Sequence, residues 1–346
     1  MNSWERIKTV LDGGIPDRVP HYELTIDPKV IDGINPGMSY YDFVDYWDID
    51  AVGPNMTYAG SEKTRAKWIN ESKKIYIDRW GVTWQFLDDL VPVPIDWPIK
   101  TPEDFVHYKP PKPEEDPMLE IIEKLVTHYK GKRATFILGR DVWVLMYSLR
   151  GMENALVDML TEPQLVRDIV RMQIDYYKIV QRKAIAMGLD IIHLADDYAY
   201  NMGPLMSPDL FEEFLAPGFK EVVADIKAHG GYCIKHTDGN IHKILPSIVN
   251  AGIDGIGPLE PEASMVLSDI KKMYPHLTVM GNVSVNLLGV GTESDIERSV
   301  KSLIDTTARG GHYIMSSGNS FTYSSLPANV KTMMKVTREY GGYSNK

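Results

Sequence analysis

The sequence predicts an α/β protein that folds as a (β/α)8 barrel, also called a TIM barrel. Eight short, mostly apolar segments alternate with helical segments, which is the pattern of a parallel sheet covered on its outside by helices. Eight such units in a chain of 346 residues fit a closed barrel better than an open doubly wound sheet. No glycine-rich phosphate-binding fingerprint follows the first predicted strand, which counts further against a dinucleotide-binding fold.

The predicted strands are centred on Tyr22, Ala51, Phe136, Ile192, Ile234, Ile256, Val279 and Ile314. The predicted helices cover residues 3–12, 39–47, 117–129, 163–187, 241–250, 293–309 and 327–340, with further helices after Ser207 and Ser268. The helix over 163–187 starts with a proline and is followed by Gly188, which are typical start and stop residues. Asn240 is predicted to cap the helix over 241–250.

Residues 73–86 alternate around Asp78 and Gly81 and predict a β-hairpin. The proline-rich stretch that follows, residues 91–113, has no useful periodicity and is predicted to run over the surface. Because the strand–helix alternation resumes afterwards, we interpret the hairpin as an N-terminal excursion from the barrel. The predicted organisation is therefore a single domain over residues 1–346.

Composition excludes several classes of protein. The formal net charge of −10 argues against a nucleic-acid partner, because phosphate binding needs a basic face. No run of eighteen apolar residues occurs, and the amphipathic N-terminus lacks the apolar core of a signal peptide, so we predict a cytoplasmic protein with no membrane partner. The single cysteine, Cys233, excludes an internal disulfide and an iron–sulfur cluster.

The strongest chemical signal is His236 and Asp238, which follow the predicted strand around Ile234. Active sites of parallel barrels lie at the C-terminal ends of the strands. An imidazole and a carboxylate two residues apart could reach one metal ion there, and both are good zinc ligands. The structural alternative is that Asp238 only shapes the turn before Gly239, while His236 donates to a backbone carbonyl.

Other polar side chains also follow predicted strands and should converge at the same end of the barrel. They are Glu23, Asn55, Arg140, Asp141, Asp196, Asp197, Glu260, Asn282, Ser316 and Asn319. Asp196 and Asp197 could serve as an acid/base pair or complete a metal site, since like charges held close raise one pKa. The alternative is that one caps a turn and the other is solvated. For Glu260 and Asn282 a structural role in a loop stays equally open.

Aromatic side chains near the predicted strand ends include Tyr147 and Tyr198, which could hold an aromatic substrate or could simply pack. His193 lies within a predicted strand and is predicted to belong to the core. Cys233 is also predicted to be core, because strand alternation places it on the opposite face from His236. His242 and His276 are predicted to be ordinary surface residues.

Several short motifs, taken together and in order, resemble the uroporphyrinogen decarboxylase superfamily over essentially the whole chain. They lie at residues 16–20 (PDRVP), 78–81 (DRWG), 149–153 (LRGME), 196–197 (DD), 203–208 (GPLMSP), 236–241 (HTDGNI), 281–283 (GNV), 291–292 (GT) and 326–330 (LPANV). The superfamily is built on a (β/α)8 barrel, which agrees with the strand count.

The resemblance implies one of two chemistries. The decarboxylases bind a tetrapyrrole's carboxylates through an arginine-rich R-Q-A-G-R motif, and residues 21–27 (HYELTID) contain no arginine at the equivalent place. The corrinoid-linked methyltransferases bind zinc through an H-x-C motif and a later cysteine. This chain has His236 and Asp238 at the first motif and Asn319 at the second position, so both thiolates are missing. Oxygen ligands would leave a harder, more Lewis-acidic zinc ion.

These points predict a zinc-dependent methyltransferase of the O-demethylase type. It would move a methyl group from a small methylated substrate, in particular a methoxylated aromatic one, to the cobalt(I) of a corrinoid carried by a separate protein. The predicted metal ligands are His236 and Asp238, and the predicted catalytic residues are Asp196, Asp197 and Glu260. The predicted substrate-binding residues are Glu23, Tyr147, Tyr198, Asn282 and Asn319.

Two other functions remain open. One is a metal-independent decarboxylase or lyase that acts on a small carboxylic acid through Asp196 or Asp197. The other is a non-catalytic ligand-binding barrel, although a dead site has no reason to keep buried carboxylates. The predicted partners are a small methyl donor, a corrinoid protein and a second copy of the chain in a homodimer.

Overall fold

The structure, a computed structural model, describes residues 1–55, 65–87 and 92–343. The strands of these residues are β1 (Ala51–Val52), β2 (Arg65–Asn70), β3 (Ile75–Asp78), β4 (Thr83–Gln85), β5 (Val93–Asp96), β6 (Ala134–Gly139), β7 (Ile191–Leu194), β8 (Ala199–Tyr200), β9 (Gly203–Pro204), β10 (Tyr232–Lys235), β11 (Gly255–Ile256), β12 (Thr278–Met280) and β13 (Tyr313–Ile314).

The helices of the same residues are α1 (Ser3–Leu11), α2 (Pro28–Ile34), α3 (Tyr40–Tyr46), α4 (Pro102–His107), α5 (Met118–Tyr129), α6 (Val144–Arg150), α7 (Met152–Thr161), α8 (Pro163–Met187), α9 (Pro208–Phe214), α10 (Ala216–Ala228), α11 (Leu245–Asn250), α12 (Leu267–Met273), α13 (Val285–Val290), α14 (Glu293–Thr307) and α15 (Pro327–Tyr340). Short 3-10 helices lie at Pro113–Glu115 and Pro261–Ala263. None of these helices combines the length and apolarity needed to cross a membrane.

The centre of the fold is a curled parallel sheet of seven strands in the order β1-β6-β7-β10-β11-β12-β13. Its interior strands are almost entirely buried, as the near-continuous apolar runs of the sequence predict for a sheet covered by helices. Neighbouring strands pair in register, for example Ile234 of β10 with His193 of β7. Because all seven strands run the same way, their C-terminal ends share one edge of the sheet.

The first predicted strand, around Tyr22, is not a regular strand. It is an extended segment with isolated parallel bridges from His21 to Met315 and from Ile26 to Phe321. Side chains supply part of its hydrogen bonding: the Asp50 carboxylate accepts the His21 N–H, and the Asn55 amide bonds both the N–H and the carbonyl of Ile26. The segment also contacts both edges of the sheet, since His21 accepts from the N–H of Asp50 and Tyr22 donates to the Met315 carbonyl.

The N-terminal region outside the parallel sheet forms a four-stranded antiparallel sheet, β2-β3-β4-β5. The hairpin predicted for residues 73–86 corresponds to β3 and β4, in which Tyr76 lies opposite Trp84. One Asp78 carboxylate oxygen accepts the N–H groups of Trp80 and Val82 across the turn. Trp80 packs against Tyr176 of α8, with 4.6 Å between ring centroids, and so attaches this sheet to the main body.

The proline-rich stretch predicted to lack periodic structure contains β5 and α4, and its first residue, Val91, lies outside the described residues. Most other helices match their predicted bounds within two residues, and α8 and α15 match at both ends. The helix predicted over 241–250 is shorter and begins at Leu245. Asn240 is not its cap, because the Asn240 side chain accepts the N–H of His242 in a local turn.

Candidate metal centre

Three side chains converge where β7 and β10 end side by side. Asp197 follows β7, and His236 and Asp238 follow β10. The Nε2 atom of His236 lies 3.3 Å from Oδ1 of Asp238 and 3.8 Å from Oδ1 of Asp197. One ligand atom from each of the three residues lies within 4.8 Å of the others. We call these three residues the metal cluster.

Hydrogen bonds aim the potential ligand atoms at one point. The His236 Nδ1 atom donates to the Pro258 carbonyl at 2.9 Å, which fixes the tautomer and leaves Nε2 facing the two carboxylates. The Asn319 amide donates to Oδ1 of Asp238 at 2.9 Å, and the backbone N–H of Asp238 donates to Oδ1 of Asp197 at 2.9 Å. The predicted bond from His236 to a backbone carbonyl therefore exists, and it prepares the imidazole for a ligand role.

The spacing of the cluster fits a divalent metal ion. Ligands about 2.1 Å from a tetrahedral zinc ion lie about 3.4 Å from one another, close to the 3.3 and 3.8 Å separations from Nε2. The carboxylates are also accessible, since the Asp197 and Asp238 side chains are 45% and 35% exposed while His236 is 7% exposed. A metal ion held here would keep an open side for a substrate.

The charges of the three residues shift one another's pKa values. Burial disfavours a charged imidazole, but Asp238 and Asp197 outweigh this effect and raise the pKa of His236 to about 9. Loss of hydration and the nearby Asp238 raise the pKa of Asp197. The like-charged partner of Asp197 is therefore Asp238, and not Asp196 as the sequence predicted.

Asp196 lies outside the metal cluster because consecutive residues of an extended chain point in opposite directions. Its buried Oδ2 atom accepts the backbone N–H groups of Trp143 and Val144, at 2.8 and 2.9 Å, and the Gln173 amide at 3.0 Å. Burial raises the pKa of Asp196, but the charges of Arg140 and Lys235 and the N–H groups of Val144 and Trp143 together bring it below its ordinary value. Asp196 thus holds the loop after β6 in place through Oδ2, and it is not one of the three clustered residues.

Glu260 lies beside the metal cluster. Its Oε2 atom accepts the backbone N–H of Gly239, the residue after Asp238, at 2.8 Å. Burial and the negative charge of Asp238 raise the pKa of Glu260. A carboxyl group in this environment holds its proton more readily than an exposed one, which suits an acid.

Among the residues predicted to bind substrate, Asn319 contacts the metal cluster directly. Tyr147 is half-buried and packs near Trp143, with 6.1 Å between ring centroids. Tyr198 is fully buried, and its hydroxyl donates to Asp141. The structure therefore gives Tyr198 a place in the scaffold.

Glu23 and Asn282 are also buried and bonded within the protein. The Glu23 carboxylate accepts from the Ser316 hydroxyl and from both the hydroxyl and the N–H of Ser317. The Asn282 amide donates to the carbonyls of Leu259 and Met265, at 2.6 and 3.2 Å. Both residues stabilise loops at the C-terminal edge of the sheet.

Three further histidines with a predicted location, and the cysteine, lie where the sequence predicts. His193 is buried, with Nε2 at 2.6 Å from the Gly257 carbonyl and Nδ1 at 3.1 Å from the Tyr22 hydroxyl. Cys233 is fully buried. His242 and His276 are exposed.

The buried ion pair between Lys235 and Asp141 was not predicted from the sequence. Both side chains are 0% exposed, and Nζ lies 2.7 Å from Oδ2. A lysine at the end of the apolar strand β10 was the available signal. A second pair lies nearby, with 3.7 Å between Nη1 of Arg140 and Oδ1 of Asp196. Asp141 and Asp196 thus each have a cation beside them, whereas Asp197 and Asp238 share the single imidazole of His236.

The chain resembles several known structures. A methyltransferase from Methanosarcina mazei superposes with a TM-score of 0.75 at 17% sequence identity, covering 98% of this chain and 99% of that one, which shows a shared fold. The GH18 chitinase ChiB of Flavobacterium johnsoniae and a D-tagatose 3-epimerase-like protein give TM-scores of 0.37 and 0.39, each at 11% identity over 64% of this chain and 80% and 81% of theirs. Those two scores are too low to carry an argument.

A comparison with curated protein sequences gave no significant match. The family model for uroporphyrinogen decarboxylase (URO-D) matches residues 75–340, which is more than half of the chain. This match and the curled parallel sheet confirm the resemblance that the motifs indicated, and the chain belongs to the uroporphyrinogen decarboxylase family.

Proposed function

We propose that the chain is a zinc-dependent methyltransferase that takes a methyl group from a small methylated substrate and delivers it to a corrinoid protein. The observation that carries the proposal is the metal cluster: one imidazole and two carboxylates aimed at one point, with an accessible side. His236, Asp238 and Asp197 would hold the ion. A methoxylated aromatic compound is the proposed substrate and a cytoplasmic corrinoid protein the proposed acceptor.

Charge argues against decarboxylation of a polycarboxylate substrate. Such a substrate needs several cations. Along the C-terminal edge of the described part of the sheet, Lys235 lies against Asp141 and Arg140 lies against Asp196. Neither cation is left without a carboxylate neighbour. The metal cluster itself carries two carboxylates against one imidazole, so it favours a cation over an anionic substrate.

The protein's own groups have distinct roles in this proposal. A zinc ion bound here would act as a Lewis acid toward the oxygen that carries the methyl group. The Pro258 carbonyl and the Asn319 amide keep the His236 imidazole and the Asp238 carboxylate oriented. Glu260, with its raised pKa, would supply a proton to the demethylated oxygen. Asp196 has no step in this proposal, because it is not one of the three clustered residues and its Oδ2 atom accepts backbone and side-chain donors.

The proposal is tested by the metal content of the parent protein, His236→Ala and His242→Ala after exposure to zinc and removal of free metal. His242 is the matched control, because it is an exposed histidine with Nε2 3.2 Å from the Ser264 carbonyl, outside the cluster. We expect about one zinc ion per chain in the parent and in His242→Ala, and none in His236→Ala. Elemental analysis of the dialysed proteins measures this directly.

The zinc-loaded protein should then methylate cob(I)alamin from a methoxylated aromatic compound, and His236→Ala should not. Absence of zinc from the parent would refute the metal-dependent mechanism. Carbon dioxide release from a small carboxylic acid by the metal-free protein, abolished by Asp196→Asn or Asp197→Asn, would instead support the lyase alternative.

A further inference from the structure

The buried Lys235 has a position that the metal cluster alone does not explain. It is the last residue of β10 and directly precedes His236, and its side chain points into the protein with no exposed surface. A buried ammonium group is costly unless it is fully compensated. Three close contacts surround Nζ, one from the segment that follows β6 and two from the segment that follows β7.

Two of these contacts are hydrogen bonds. Nζ donates to the Asp141 carboxylate, after β6, and to the backbone carbonyl of Asp196, after β7, both at 2.7 Å. The third contact is with the ring of Tyr198, whose centroid lies 4.0 Å from Nζ. One side chain on β10 therefore holds the ends of β6 and β7 against its own strand.

The Asp196 carbonyl belongs to the peptide unit that leads into Asp197, a member of the metal cluster. On the other side, Lys235 is joined by a single peptide bond to His236. The loops are also tied to each other, because the backbone N–H of Tyr198 donates to the Thr237 hydroxyl at 2.8 Å. The position of Asp197 relative to His236 is thus set by a network with Lys235 at its centre.

We propose that Lys235 is a positioning residue for the metal cluster: its ammonium group, compensated by Asp141, fixes the backbone at Asp196 so that Asp197 faces His236. This inference rests on the proposed metal site. Lys235 touches neither metal nor substrate in it. Groups that orient metal ligands typically contribute 10–100-fold to metal affinity.

The test separates positioning from stability. Lys235→Met alone leaves the Asp141 carboxylate buried without its cation and is expected to destabilise the fold, so the informative variant is Lys235→Met/Asp141→Asn, which removes both charges. Replacement of a complete buried ion pair is often neutral for stability. The matched control is Arg150→Met/Asp158→Asn, which removes another buried pair, 9% and 4% exposed with 2.6 Å between the atoms. The hydrogen bonds of Arg150 go to Asp158 and to the Ile99 and Lys100 carbonyls.

Zinc affinity, measured by competition with a chromophoric chelator, should fall about 10-fold or more in Lys235→Met/Asp141→Asn and stay unchanged in Arg150→Met/Asp158→Asn. Hydrogen exchange of the metal-free proteins should show faster exchange at residues 196–198 and 236–239 in the first variant only. Parental zinc affinity and parental exchange in Lys235→Met/Asp141→Asn would overturn the positioning role. A parent protein that binds no zinc would refute the proposed function, and hydrogen exchange would still decide the role of Lys235.

Discussion

Two carboxylate sites at the C-terminal edge of the sheet look alike in the sequence and differ in the structure. One is the metal cluster. The other is a closed site around Glu23, made with His21, Ser316 and Ser317, which we call the Glu23 cage. In the cage, Oε1 accepts from the Ser317 N–H at 2.9 Å and lies 3.1 Å from Nε2 of His21, while Oε2 accepts from two serine hydroxyls at 2.6 and 3.1 Å.

The two sites differ in the number of hydrogen-bond donors around each carboxylate. Glu23 is 2% exposed and has two protein groups at each oxygen, so it has no capacity left for a ligand. In the metal cluster, Asp197 and Asp238 each have one described donor apart from His236, and both are partly exposed. Donor count around a carboxylate, rather than its place after a strand, therefore distinguishes a structural group from a candidate ligand.

The largest expected effect comes from exchanging each carboxylate for its amide. Asp197→Asn should lower zinc affinity by more than about 100-fold, beyond the range found for groups that only orient ligands, and should leave the free energy of unfolding nearly unchanged because the residue is partly exposed. Glu23→Gln should have the opposite effect. It should lower the free energy of unfolding by about 3 kcal/mol, because a buried amide N–H₂ group would face hydrogen-bond donors. Its zinc affinity should be retained. Chelator competition and urea unfolding of both variants measure the two effects.

Equal loss of zinc affinity in Glu23→Gln and Asp197→Asn would show that the cage and the cluster are not separate sites. A loss of stability in Asp197→Asn as large as that in Glu23→Gln would contradict the distinction based on donors.

A smaller effect is expected from the asparagine that supports the cluster. Asn319→Ala removes the amide that donates to Asp238 and should lower zinc affinity about 10-fold, the lower end of the range for such groups. Asn282→Ala is the matched control, because its amide donates to the Leu259 and Met265 carbonyls. It should reduce stability without changing zinc affinity. The reverse assignment, with zinc affinity lost in Asn282→Ala, would place Asn282 in the site.

The sequence predicted the architecture better than the roles of individual side chains. Apolar periodicity and helix start and stop residues located seven of the eight expected strands and the full length of α8. The strand predicted around Tyr22 is an extended segment with isolated parallel bridges. Part of its backbone is bonded by the side chains of Asp50 and Asn55, which come from distant positions that no local pattern reveals.

The site was harder to predict, because the sequence does not show where a side chain points or how many hydrogen-bond donors surround a carboxylate. His236 and Asp238 were found because they follow one strand on the same face. Asp196 and Asp197 were treated as a pair because adjacency in sequence says nothing about which carboxylate meets backbone N–H groups. Lys235 was not predicted as a functional residue, because a lysine at the end of a strand is normally solvated. Only the fold brings Asp141 within 2.7 Å of it.

The smallest expected effect concerns the pH dependence of stability, and it tests the contrast between the metal cluster and the Glu23 cage. In the metal-free protein the cluster carboxylates raise the pKa of His236 from 6.5 to about 9. A folded-state pKa above the unfolded one means that the proton stabilises the fold. This contribution is fully present below about pH 6.5 and is lost as the pH rises through about 9. The free energy of unfolding of the parent relative to His236→Gln should therefore decrease between these two pH values. Urea unfolding of both metal-free proteins at several pH values across this window measures the difference.

In the zinc-loaded protein His236 must be deprotonated to bind the ion, so this decrease should disappear. A difference between the metal-free parent and His236→Gln that stays constant or grows with pH would show that the carboxylates do not hold a proton on His236. The electrostatic basis for a cation at the cluster would then fail.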